Sequence, residues 1–241
     1  MKAHARLVAE CVAGRTVLRE LRSMAPLTLF PKRRGREAVV HLVNSATSPL
    51  GGDELTLTVR VGRGARLRLS GVAATLALPG HRPGGSRFEV HVEVEGTLEY
   101  LPEPTVITAR ARHTAEFHAE VAADARLRTR EVLVLGRSGE ESGILRTTQR
   151  IVRDGVPVLH QTLDVGALNR SLAHLASRRV LATEVLIDGA TVSPAGGDWW
   201  SLTPLPQGGS LITALSPDAI TADHDLAGAR TLHPWAVRTG L

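Results

Sequence analysis

A strict alternation of apolar and polar residues, repeated at a nearly constant spacing, constrains this chain most. In residues 55–61 Leu and Val alternate with Thr and Arg, a short turn follows at 62–64, and the alternation resumes at Leu67. This pattern predicts a half-buried strand, a tight turn and a second half-buried strand. The same arrangement recurs in residues 88–101 and 115–130.

The turn centres fall near residues 64, 96 and 124, so the unit repeats about every thirty residues, a period typical of repeated supersecondary structures. One such unit cannot bury its apolar face alone, but several stacked units can. We therefore predict stacked β-layers over residues 50–165, as a sandwich or a β-solenoid-like array. Further strands are predicted at 131–135, 144–152 and 156–162. Asp154 and Gly155 are expected to form the two-residue turn between the last two strands.

Helical patterns are scarce. Leu168, Leu172 and Leu175 recur at helical spacing within residues 163–181. A second helix is predicted over 217–229, with Ser216 as its N-cap and Pro217 at its first position. Residues 193–210 are rich in Gly and Pro and are predicted to be a loop. The expectation is one all-β domain over residues 1–241, with a less regular part from about 165 onward that holds one or two short helices.

The composition excludes several classes of function. Aromatic residues make up only 3% of the 241 residues, too few for a surface that stacks single-stranded nucleic acid, and a carbohydrate platform is disfavoured for the same reason. The single cysteine, Cys11, forms neither an intramolecular disulfide nor a CxxC metal site and is expected to be a small buried residue. No secretory signal or membrane-spanning run is apparent, so we expect a cytoplasmic protein without membrane contact.

The positive charge is concentrated at one end of the chain. Residues 1–40 hold nine Lys and Arg against three Glu, whereas residues 181–241 hold two Arg against six acidic residues. The densest basic stretch is residues 32–36. It is either a solvated loop after Pro31 or a patch that meets an acidic partner.

Sequence motifs of common enzymes are missing: the chain has no GxSxG, HExxH or P-loop, and no GxGxxG after a strand. Metal-ligand residues are present. Asp223, His224 and Asp225 are adjacent and suit a divalent ion, or they form a polar helix face. His91 shares one strand face with glutamates, and that row either lines a water-filled passage or faces solvent.

An enzyme on a β-solenoid scaffold is an alternative interpretation. It requires Asp53, Glu99 and Glu103 to converge in one cleft with raised pKa values. A generic β-rich interaction module is a further alternative.

Ordered segments along nearly the whole chain resemble the urease accessory protein UreD family, called UreH in some organisms. They are residues 14–18 (GRTVL), 25–29 (APLTL), 50–56 (LGGDELT), 59–65 (VRVGRGA), 71–75 (GVAAT), 98–103 (LEYLPE), 133–137 (LVLGR), 153–159 (RDGVPVL) and 235–238 (WAVR). The chain departs from the family pattern at 45–48, at Leu76 and Leu78, at Glu103 and at Gln161, and it is shorter than most members.

The resemblance implies a non-enzymatic scaffold with a β-rich helical stack, two helices and an internal water-filled tunnel. Members of the family bind UreF and, through it, the nickel-carrying GTPase UreG; the assembly docks on urease subunits and delivers nickel. No tightly bound cofactor is expected, only transient nickel, and a homodimer within the accessory complex is conceivable. The family-motif residues here are Gly51, Gly52, Asp53, Pro102, Glu103, Gly136, Arg137, Asp154 and Gly155.

Within this interpretation, a nickel path should hold the ion weakly, through sparse oxygen and nitrogen ligands. The candidates are Asp53, Glu103, His91, Asp223, His224 and Asp225. Asp53 is equally suited to accept a hydrogen bond in an Asx-turn. The partner-interface candidates are the tryptophans Trp199, Trp200 and Trp235.

Overall fold

The structure is a computed structural model that describes residues 1–80, 84–166 and 172–235. Its strands in the first half of the chain are β1 (Lys2–Val12), β2 (Arg15–Arg22), β3 (Leu27–Arg34), β4 (Glu37–Asn44), β5 (Glu54–Val61), β6 (Arg66–Ser70), β7 (Thr75–Ala77), β8 (Ser86–Val94) and β9 (Thr97–Leu101). The remaining elements are β10 (Thr105–Ile107), β11 (Arg112–Val121), β12 (Arg126–Leu135), β13 (Ile144–Arg153), β14 (Val156–Val165), α1 (Leu172–Leu175), β15 (Val180–Ile187), β16 (Ala195–Gly196), β17 (Trp200–Pro204), β18 (Ser210–Ser216) and α2 (Ala219–Arg230).

The strands form two sheets. Sheet A has the order β14-β13-β11-β8-β5-β1-β2, and sheet B has the order β16-β17-β18-β15-β12-β9-β6-β4-β3. The short strands β7 and β10 pair with each other, and β10 also pairs with β12. Within the described residues, no helix has the length and apolar character needed to cross a bilayer.

The central part is a stack of coils. The strand pairs β5–β8, β8–β11 and β11–β13 in sheet A are parallel, as are β4–β6, β6–β9 and β9–β12 in sheet B. Each coil crosses from a strand of sheet A through a tight turn to the next strand of sheet B. This parallel stacking confirms the all-β, solenoid-like prediction.

The buried residues explain the stacking. In register, Leu57 lies beside Val90, and Val90 lies beside Phe117, so apolar side chains form continuous rows between the sheets. Small and branched side chains fill this space, which accords with the low aromatic content. The turns also follow prediction: Asp154 (φ 49°) and Gly155 (φ 75°) join β13 to β14 in left-handed conformations.

The part of the chain after β14 differs from prediction. The loop predicted at 193–210 contains β16 and β17, which extend sheet B beyond β18. Strand β14 continues to Val165, where a helix was predicted, and β15 begins at Val180. Only residues 172–175 of the predicted helix are helical, and Leu168 lies outside the described residues. Pairing with distant strands overrode the local helical pattern.

The N-cap of α2 is Asp218, not Ser216. Ser216 is the last residue of β18, and its hydroxyl donates to Asp225. Asp218 has an extended backbone, and its carboxylate accepts the amide N–H of Thr221 at 2.8 Å. Helix α2 packs Ala222, Leu226 and Ala229 against the outer face of sheet B, where they form a second apolar cluster.

The basic stretch at 32–36 is not a loop. It closes the β3–β4 hairpin, with Gly35 at φ 55° in the turn and Arg34 paired in register with Glu37.

Candidate functional site

A cavity of about 220 Å³ lies between the two sheets. Its lining ranges from the buried His113 to Val72, which is 54% exposed, so the cavity runs from the interior to the surface. Its polar lining residues include His113, Thr129, Glu131, Gln149 and Glu103. Most of the remaining lining residues are apolar, and the charged residues Glu116 and Arg130 also belong to the lining.

Glu131 is the main carboxylate of this cavity. Its two oxygens accept hydrogen bonds from the Thr147 hydroxyl at 2.7 Å and from the Gln149 amide at 3.1 Å. Burial raises the pKa of Glu131, and those two hydrogen bonds oppose the rise. Tyr100, another lining residue, is also buried, and its own burial raises its pKa. The negative charge of Glu131 adds to this rise.

His113 is a nitrogen donor in the same cavity. Its ring Nδ1 lies 2.9 Å from the Ser86 hydroxyl, and the side chain is buried. Desolvation lowers the pKa of His113 to about 4, so the imidazole is neutral near pH 7 and retains a lone pair.

Glu103 also lines the cavity, together with Pro102 at the end of β9. The small-residue segment 71–75 begins directly beside them, where the Gly71 amide donates to the Leu101 carbonyl. A Cβ on Gly71 would come within 2.7 Å of the Glu103 amide nitrogen, so only glycine permits this approach. Residues 71–75 all line the cavity at this point.

Asp53 has a structural environment. Its carboxylate accepts the Leu50 amide at 2.9 Å and the Ser48 hydroxyl at 2.8 Å, and it pairs with the Met1 ammonium at 2.7 Å. The hydrogen bonds and the ammonium outweigh desolvation and lower the pKa of Asp53. The carboxylate accepts the amide of a residue three positions earlier, and the Asp53 amide donates to the Leu50 carbonyl, so Asp53 closes the turn of residues 50–53. An Asx-turn would instead use the amide two residues later.

The other predicted metal candidates lie apart from the cavity. His91 is on the outer, solvent-facing side of sheet A. Asp223 pairs with Arg130 at 2.6 Å, and Asp225 accepts the Ser216 hydroxyl at 3.1 Å. The His224 side chain is 89% exposed. Across the described ranges, no three His, Cys, Asp or Glu side chains gather as a metal site.

The three carboxylates of the enzyme alternative have separate environments. Glu99 pairs with Arg68 at 2.7 Å and with Arg128 at 3.6 Å, whereas Asp53 is held by its own turn and Glu103 lines the cavity. The pKa of Asp53 is lowered, the opposite of what that alternative requires.

The family-motif glycines serve close contacts and turns. A Cβ on Gly51 would lie 2.8 Å from the Gly80 amide nitrogen. Gly52 adopts φ 88°. Gly136 adopts φ 79°, and a Cβ there would collide with the Glu140 carbonyl oxygen. Arg137 pairs with Glu140 at 2.8 Å. These glycines allow close backbone contacts and turns, and Arg137 forms an ion pair at one of those turns.

The tryptophans divide by exposure. Trp235 is buried beneath Arg126 and donates to Glu99 at 3.3 Å, so it packs inside the fold rather than at a partner surface. Trp200 packs against the apolar cluster under α2. Trp199 remains 41% exposed, with the Arg178 guanidinium over its ring.

Cys11 is exposed, which contradicts the expectation that it is buried. It lies near the end of β1, where the strand extends past the core.

Glu131 and His113 are not among the site residues predicted from the sequence. A signal for both was present, because each occupies an inward position of an alternating strand, in line with buried neighbours such as Leu133 and Phe117. A polar residue at an inward position indicates a hydrogen-bonded or functional interior.

Comparisons with known proteins give one consistent result. Residues 1–237 match the family described as UreD urease accessory protein. The chain is 54% identical to urease accessory protein UreD 1 of Saccharopolyspora erythraea, over 98% of this chain and 97% of that protein. It is 39% identical to urease accessory protein UreD of Parafrankia sp. (91% and 84% covered) and 37% identical to that of Streptomyces coelicolor (90% and 90%).

Proposed function

Because this chain belongs to the UreD family of urease accessory proteins, we propose that it is a non-enzymatic scaffold that delivers nickel to apo-urease together with UreF and UreG. The observation that carries the proposal is the family match over residues 1–237, supported by 54% identity to a UreD protein of nearly the same length. The place of action is the cytoplasm.

We further propose that nickel passes through the cavity between the sheets. Its donors include the Glu131 carboxylate, the neutral His113 imidazole and Glu103, set among mostly apolar walls. Imidazole and carboxylate ligands suit Ni²⁺, and a small number of them binds the ion weakly enough to release it. The raised pKa of Glu131 adds to this weakness, because a proton competes with the metal.

The surface supports a scaffold role. The basic N-terminal forty residues suit an acidic partner surface. Trp199, half-exposed and stacked with Arg178, has the character of an interface anchor. Trp235 and Trp200 pack within the fold, so we do not assign them to the partner interface.

The direct test is reconstitution of urease maturation with and without this chain. Urease subunits, UreF and UreG are produced together in a host that lacks its own urease genes, and nickel per purified urease is measured by mass spectrometry. We expect nickel loading to need this chain, and we expect it to co-purify with UreF. Equal nickel loading without the chain would refute the proposal.

A further inference from the structure

Three tight turns adjoin one another at one corner of the coil stack. They are the turns between β1 and β2, between β3 and β4, and between β5 and β6. Thr16 links them, because its amide donates to the Arg36 carbonyl at 3.0 Å and its hydroxyl accepts the Arg66 amide at 2.9 Å. The third turn also adjoins the end of β1, since Arg63 and Cys11 line one surface pocket.

These turns present exposed arginine side chains, which we name the basic corner: Arg15, Arg36, Arg63 and Arg66. Among the residues that the structure describes, no carboxylate lies within ion-pair distance of these four guanidiniums. Glu10 and Glu95 share the surface pocket with Arg63, but Glu10 pairs with Arg19 at 2.9 Å. The fold itself therefore leaves the charges of the basic corner unpaired.

Exposed arginines elsewhere on the strands do have acidic partners: Arg6 with Glu20 at 2.9 Å, Arg87 with Glu116 at 2.9 Å and Arg146 with Asp164 at 2.7 Å. Four like charges on adjoining turns repel one another, and a bound anion relieves that repulsion. A guanidinium donates hydrogen bonds in a planar fork that matches a carboxylate. The basic corner is thus suited to a surface rich in carboxylates.

The edge strand beside the corner is closed to an added strand. Strand β3 is the last strand of sheet B, and alternate residues turn their N–H groups away from β4. Two of these groups already have acceptors: Leu27 donates to the Met24 carbonyl at 2.9 Å, and Leu29 donates to the Ser23 hydroxyl at 2.9 Å. Pro31, the next in this series, has no N–H. A partner is therefore held by the arginine side chains and not by main-chain pairing along β3.

We propose that the basic corner docks a carboxylate-rich segment of a partner protein. A single-stranded nucleic acid is disfavoured, because residues 13–16, 34–37 and 62–66 include no aromatic residue on which a base could stack. A second copy that presented the same corner would be repelled by like charge. The proposal rests on the scaffold role above only for the identity of the partner, since carboxylate binding is a property of the corner itself.

The first test is a titration of fluorescently labelled poly-L-glutamate with the full chain, followed by anisotropy at low and at physiological ionic strength. The corner variant combines four substitutions: Arg15→Gln, Arg36→Gln, Arg63→Gln and Arg66→Gln. The matched control has the same net charge and neutralises four exposed arginines that also lack an ion pair within the described residues: Arg22→Gln, Arg110→Gln, Arg112→Gln and Arg150→Gln. We expect the corner variant to lose about tenfold or more in affinity and most of its salt dependence, and the control to lose less than about threefold.

Three results of these titrations would overturn the proposal. Equal losses in the two variants would show that net charge alone binds the polymer. Tighter binding of the wild type to a single-stranded RNA of matched charge would assign the corner to nucleic acid. Self-association of the wild type in sedimentation, abolished in the corner variant, would assign it to a second copy. Circular dichroism checks that both variants are folded.

The second test identifies the partner by co-production with UreF, UreG and the urease subunits. The corner variant should lose at least one component that the control retains at physiological ionic strength. Complete assembly by the corner variant would overturn the docking role. Failure of the wild type itself to assemble would count against the proposed function instead, and the poly-L-glutamate titration would then decide on the corner alone.

Discussion

The ion pairs that attach α2 to sheet B give the sharpest stability prediction. Glu184 on β15 is fully buried and accepts Arg128 Nε at 2.9 Å and Arg230 Nη1 at 2.9 Å. Arg128 belongs to β12 and Arg230 to the last turn of α2. One carboxylate therefore pairs with two guanidiniums from different elements.

Replacing Glu184 with Gln keeps the shape, but it leaves Arg230 without its charge partner and Arg128 with only its longer contact to Glu99 at 3.6 Å. Breaking a buried ion pair from one side costs about 3–5 kcal/mol. For a chain of this size, about 1 kcal/mol lowers Tm by about 2–4 °C, so the expected fall is roughly 6–20 °C. The matched control is Asp164→Asn. Asp164 makes an equally good pair with Arg146, at 2.7 and 2.9 Å, but its side chain is 62% exposed. An exposed pair is worth about 0–1 kcal/mol.

Urea unfolding followed by circular dichroism measures both variants under the same conditions, and the m-value shows whether the transition remains comparable. We expect a large loss of unfolding free energy for Glu184→Gln and almost none for Asp164→Asn. Equal losses in the two variants, or a loss below about 1 kcal/mol for Glu184→Gln, would refute the reasoning that burial decides the value of these pairs.

Three further predictions concern the backbone, acid stability and a helix cap. Gly96→Ala should destabilise the fold by several kcal/mol, because the new Cβ would collide with the Ala65 carbonyl oxygen. Gly228→Ala in α2 meets open space and should stabilise the fold by about 0.5–1 kcal/mol. Thermal unfolding of the two variants compares these effects. The pKa of His113 is lowered to about 4, so this side chain binds fewer protons in the folded than in the unfolded chain. The free energy of unfolding should therefore fall by about 3 kcal/mol as the pH drops from about 6.5 to 4. His113→Gln should flatten this pH dependence, measured by urea unfolding at a series of pH values. Asp218→Ala should cost about 1 kcal/mol near pH 7, measured the same way, because the cap of α2 is lost.

The coils were predictable from the sequence because their information is local. Alternation around Leu57 and Val90 defines the buried face, and the intervening turns fix the spacing, so stacked layers follow. Whether the layers formed a sandwich or a solenoid depended on parallel pairing between distant strands, which alternation does not encode.

The rest depended on long-range contacts. Trp235 looked like a surface anchor, but Glu99, 136 residues earlier in the chain, accepts its indole N–H inside the fold. The breaker-rich segment containing Trp200 became a strand because β18 offers an edge for it. Asp53 and Glu103 belong to one set of family-motif residues, yet the first stabilises a turn and the second lines the cavity.

The most direct test of the account is nickel transfer with the cavity obstructed. Ala115 lines the cavity, and its neighbour Thr114 points to the opposite face of β11, so Ala115→Phe fills the passage while Thr114→Phe adds the same ring outside. Glu131→Gln removes the carboxylate without adding volume. It provides a second test of the passage if Ala115→Phe impairs folding.

Nickel per urease is measured after co-production with each variant, UreF and UreG, together with co-purification as a check on assembly. The account predicts wild-type nickel with Thr114→Phe and a loss of severalfold or more with Ala115→Phe and Glu131→Gln, all three variants still assembling. Wild-type nickel loading by assembled Ala115→Phe and Glu131→Gln would contradict passage through the cavity.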